Sequence, residues 1–194
     1  MNQRRTVVCL LGLLLMATLN VSAQTAAAPI NWKALEEAWT AYYPAPSEDG
    51  AAQLLRLLPG TAKIIDIKEG FSVINAIADH LGVLEGEIYS GNLNAVRLGF
   101  RLFTISFGAM EVTLNKIIGN LISFYPRLFL EELTMHRELF ILLDPILGSF
   151  LGDPSMDAAA KELEKNLRIK SLEAVEDKTL KTLRNECVKI LKRF

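Results

Sequence analysis

The sequence predicts an all-α domain, and three observations carry that prediction. Apolar residues recur three and four positions apart through most of the chain after residue 30. Several of these runs stop at proline, as at Pro59-Gly60 and Pro126. No segment reads as a credible strand. About eight helices in antiparallel pairs are expected, in a single domain spanning residues 31–194.

The N-terminus reads as an export signal. Arg4 and Arg5 form a basic n-region, Val7 to Leu19 an uncharged Leu-rich core, and Val21-Ser22-Ala23 the small residues before a cleavage site. The apolar core is short for a membrane span, which needs about 20 residues. Residues 1–23 are therefore expected to be removed and residues 24–30 to form a flexible leader. No later stretch reads as a membrane span, because Arg97, Arg101, Glu111 and Lys116 interrupt the most apolar region.

The first helix is expected over 31–43, capped by Asn31. Trp32, Leu35, Trp39 and Tyr42 recur on one face and place both tryptophans there. Tyr43-Pro44-Ala45-Pro46 breaks the chain, and Ser47 caps a second helix over 48–58. Asp66 to Glu69 has the form of a capping box for a third helix. In that helix Ile74, Ile77, Leu81, Leu84 and Ile88 keep one rhythm, so it can run unbroken to Tyr89 unless Gly82 or Gly86 marks a kink. Gly91 is a natural stop.

The centre of the chain is residues 92–126, two helices joined at Phe107-Gly108. The first is apolar on two flanks, through Val96, Phe100, Phe103 and Phe107 and through Leu98, Leu102 and Ile105. The second carries Met110, Leu114, Ile117, Leu121 and Phe124 on one stripe and Thr113, Lys116, Asn120 and Ser123 on another. Such a pair predicts a packed hairpin flanked by the other helices. Pro126 begins a further helix through Leu143, and Asp144-Pro145 kinks or restarts it. Asp153-Pro154 reads as the cap and first turn of a helix over about 155–173, with Leu163, Leu167 and Leu172 inward. A last helix spans about 177–193, with Leu180, Leu183, Cys187, Ile190 and Phe194 in register.

The segment LISFYPRLFLEEL (121–133) is a helix end, a proline and a new helix, and LLRLLPG (54–60) ends in the same way. These segments resemble HEAT-type helical repeats. The resemblance implies a curved α-α superhelix with a concave binding face. No clean internal period recurs, and an irregular orthogonal helical bundle is the alternative.

Charge is uneven. Residues 24–160 hold 9 basic and 16 acidic residues, whereas residues 161–194 hold 10 basic and 6 acidic. A basic C-terminal surface would suit an acidic partner, anionic lipid or the acidic body of the same chain. Nucleic acid is not expected, since no aromatics interleave with the basic tail. After cleavage Cys187 is the lone cysteine, expected to be buried on its helix face.

Catalytic signatures are missing. Glu132 and His136 share a helix face, but no second histidine stands at metal-ligand spacing. No nucleophile elbow or phosphate-cradling loop occurs, and no cofactor is expected. The polar stripe Asn94, Arg97, Arg101 and Thr104 remains, on an otherwise apolar helix. If buried, its arginines need carboxylates such as Glu111, Glu131 or Glu132. If they line a groove, Arg97 and Arg101 can bind an acidic peptide or lipid headgroup, and Trp32 and Trp39 can form an aromatic ligand patch. The expectation is an exported, periplasmic or secreted bacterial domain that binds a protein partner without catalysis. A lipid carrier is the second expectation, because the Phe- and Leu-rich stretch 98–151 could line a cavity between helices.

Overall fold

Asn31 and Ser47 start the first two helices as expected, each accepting a hydrogen bond from the backbone three residues on, at 3.0 and 3.1 Å. The computed structural model describes residues 29–60 and 68–194, and every regular element among them is helical. The signal, most of the leader, and Asp66-Ile67 of the capping box lie outside the described residues.

Ten α-helices are described: α1 Trp32–Tyr42, α2 Glu48–Leu57, α3 Phe71–Asp79, α4 Leu81–Tyr89, α5 Leu93–Leu102, α6 Gly108–Phe124, α7 Pro126–Met135, α8 Asp144–Leu147, α9 Ala158–Glu173 and α10 Lys181–Leu191. The hairpin of α5 and α6 is central. Helix α6 packs against α3, α4, α5, α7, α8 and α9, and α5 is flanked by α2, α4 and α7. Its apolar stripe from Met110 to Leu121 is buried, while Phe124 turns out to solvent with its ring 5.0 Å from Tyr89. No described helix is long and apolar enough to cross a membrane.

The third helix does not run unbroken. It divides at His80, whose φ of −119° and ψ of 16° leave the helical region. The His80 ring stacks on Tyr43 at 4.1 Å, and its Nδ1 lies 2.9 Å from the Ala76 carbonyl oxygen. These contacts fix the break. Gly82 and Gly86 have open space where a side chain would stand, so neither serves close packing. At Gly91 the chain reverses with φ of +85°, and Gly108 opens α6 at +55°, both left-handed positions that favour glycine.

Three further boundaries differ. Helix α5 ends at Leu102, Phe103 to Ile105 form a turn, and the extended Phe107 leads into α6. Helix α7 ends at Met135 instead of Leu143, because the chain tightens into a 3-10 turn over Arg137–Leu139. Phe140 and Leu143 then point inward, while Ile141 and Leu142 point out. The start of α9 is capped by Asp157, which accepts from Ala160 N at 2.8 Å. Asp153 instead accepts from Ser155 N at 2.9 Å and pairs with Lys116 at 2.8 Å.

Helix α9 also differs in which face it buries. Leu172 is inward, but Leu163 and Leu167 are 62% and 46% exposed. Arg168 occupies the inner position and is fully buried. Cys187 is buried as expected, and burial pushes its thiol up to about 12.

Candidate functional site

The polar stripe of α5 is tied to neighbouring segments of the fold, with Arg97 still partly open to solvent. Asn94 donates to Glu48 at the start of α2, Arg97 Nε donates to Glu132 Oε1 of α7 at 3.0 Å, and Arg101 donates to the Pro59 carbonyl at 3.0 Å. Each residue thus ties α5 to a neighbouring segment. The sequence predicts carboxylate partners for buried arginines. Arg97 has one, and Arg101 has a helix-end carbonyl instead.

Beneath Arg97, whose side chain is 41% exposed, Glu132 and His136 form a small buried polar pair. Glu132 is 1% exposed, and its Oε2 stands 3.7 Å from His136 Nε2. His136 stacks on Phe100 at 5.7 Å, and Phe140 meets both Phe100 and Phe103 edge-on. Glu132 Oε2 and Arg101 Nε are buried without a hydrogen-bond partner among the described residues. Burial pushes the Glu132 carboxyl up, against the opposing pull of Arg97. Burial pushes His136 down, assisted by the charges of Arg101 and Arg97. Among the described residues, no group of three or more His, Cys, Asp or Glu side chains is placed to hold a metal.

The two tryptophans share a face of α1 but differ in access. Trp39 is 2% exposed and packs against Tyr42 at 5.6 Å. Trp32 is half-buried, with its indole seated on Gly70, where an added Cβ would fall 2.4 Å from the ring.

A second buried polar centre surrounds Arg168. Its Nε donates to Glu164 at 2.7 Å, its Nη2 to Asn120 at 2.7 Å, and its Nη1 to the Leu147 carbonyl at 3.0 Å and Ser149 at 3.2 Å. The guanidinium also lies over the Phe150 ring, 4.9 Å from its centre. Gly119 makes room, since a Cβ there would fall 2.4 Å from the Ile146 carbonyl oxygen and 2.9 Å from Arg168 Nη1. Asn120 stands on the polar stripe read for α6, but nothing in the sequence reading singled out Arg168.

The open surface carries different chemistry. Between α7 and α8, Ile141 is 93% exposed and Leu142 66%. They border a groove of about 380 Å³ lined also by Phe103, Ser106, Glu111, Asn115, Phe140 and Pro145. Two other grooves, of about 250 and 420 Å³, flank the Lys116–Asp153 pair. No protein-family model matches the chain, and no curated protein or solved structure shows similarity to it.

Proposed function

We propose that this chain is an exported, non-catalytic helical interaction domain that binds a protein or peptide partner in the cell envelope. The observation that carries this reading is the Ile141-Leu142 tip beside its groove. Two adjacent large aliphatic side chains held in water, next to a concavity with aromatic walls, are what a partner would cover. The basic end of the molecule supplies less. Arg193 pairs with Asp144 of the body and Lys192 with Glu173 of its own segment, while Asp177 and Glu186 of that segment take up Arg127 and Arg137 of the body. Docking of the tail on the body therefore uses both signs of charge. The likeness of Leu121–Leu133 to a helical-repeat junction fits an interaction scaffold, because such junctions belong to binding solenoids.

The test is affinity purification from the native envelope in low and high salt, with a photo-crosslinker at Ser106 of the groove. A discrete partner crosslinked by the wild-type chain and lost in Ile141→Asp/Leu142→Asp supports the reading. Recovery of the chain alone under all conditions counts against it.

A further inference from the structure

The first half of helix α9 is inside out, while Leu172 near its end faces the core. Its buried side carries the Glu164–Arg168 pair, and its open side carries Leu163 and Leu167. A surface helix ordinarily turns its leucines to the core and its charges to water. Here the inner position is fixed by Arg168, whose donors reach Asn120, Leu147 and Ser149, so α9 cannot roll to bury its leucines without breaking that centre. The leucines are thus held out by the fold.

We propose that this face is the contact of a symmetric dimer, with α9 packed antiparallel against α9 of a second copy of this chain. The order of residues along the face is self-complementary. Glu162, Asn166 and Lys170 follow one another at four-residue spacing on one edge, and all three are exposed. In a two-fold antiparallel pair each edge meets its own reversed copy. With the axis at Asn166, Glu162 faces Lys170 of the second copy, and Lys170 faces its Glu162. The same register staggers the leucines. At about 1.5 Å rise per residue, Leu163 and Leu167 of the two copies alternate along the seam. Glu162 pairs with Lys165 and accepts from Asn166 at 3.2 Å within its own helix, whereas Lys170 has no ion-pair partner among the described residues, so in the contact Glu162 would be shared with Lys170 of the second copy. The charge order selects a second copy in antiparallel register, where a parallel pairing would set like charges opposite each other.

Sedimentation of the chain lacking residues 1–23 tests this over a range of concentrations. A reversible monomer–dimer equilibrium is expected, abolished by Leu163→Glu with unchanged circular dichroism. Glu162→Lys and Lys170→Glu each set two like-charge pairs across the seam and should weaken association about tenfold. Mixing the two single variants restores both opposite-charge pairs and should restore the dimer between them. Ile141→Asp leaves association unchanged, which separates this surface from the partner-binding tip. A monomer at every concentration overturns the proposal. So does a dimer that the mixed variants do not recover.

Discussion

Glu132 and His136 titrate in opposite senses. Burial raises the Glu132 carboxyl above its ordinary value of 4.5, so the folded chain holds that proton more tightly than the unfolded chain. Its contribution to stability is therefore largest in acid and falls as pH rises through the raised value. Burial lowers His136 below its ordinary 6.5, so its neutral form favours the fold. That contribution is present above the unfolded value and is lost as pH falls from it through the lowered one. Between the two ordinary values the effects oppose each other and mask themselves in the wild-type chain. His136→Gln should show stability rising as pH falls from 6.5 toward 4.5, and Glu132→Gln should show it falling over the same interval. Urea midpoints at those pH values check both slopes, and parallel curves for the two variants would contradict the assignment. The sequence showed that these residues share a helix face. It could not show their burial, because the ring that stacks on His136 is Phe100 of α5, far away in sequence, with Phe140 edge-on against it.

At the scale of elements, apolar rhythm and capping chemistry place the first two helices, the central hairpin and the restart at Asp144-Pro145. Where the sequence reading failed, competing side-chain contacts decided. His80 on Tyr43 divides one helix, and inward Phe140 with outward Ile141 and Leu142 ends another. The orientation of α9 was legible but overlooked. Leu163 and Leu172 are nine residues apart, which at about 100° per residue places them on opposite sides. Arg168, one turn before Leu172, shares its inward face. The ranking of substitutions on this helix follows. Arg168→Met should cost about 3–5 kcal/mol, because the Asn120 and Leu147 acceptors lose their donor and the partly exposed Glu164 loses its cation. Leu163→Ala should change the stability of the monomer by no more than about 0.5 kcal/mol. Urea denaturation at low protein concentration measures both, and a leucine effect exceeding the arginine effect would refute the orientation.

The whole molecule is an irregular helical assembly wound around α6. Its all-α class was readable because periodicity is local, whereas the packing of α2 on α5 and α4 on α6 joins segments that no local pattern links. The polar stripe of α5 shows the same limit. Its spacing was plain in sequence, but the destinations of its three longest side chains, Glu48, Glu132 and Pro59, lie on three separate segments. The central position of α6 has a consequence for how the molecule opens. A helix at the rim can fray with the loss of one or two neighbours, but α6 is covered by six other helices and cannot leave them singly. Amide protons of Ile117, Ile118 and Leu121 should therefore exchange with deuterated solvent only when the entire chain unfolds, at a rate that tracks global stability in urea. Those of residues 137–142 should exchange through local opening that ignores urea. Helix α6 would then serve as the internal clock of the fold, and its slowest protons would report the free energy of the whole.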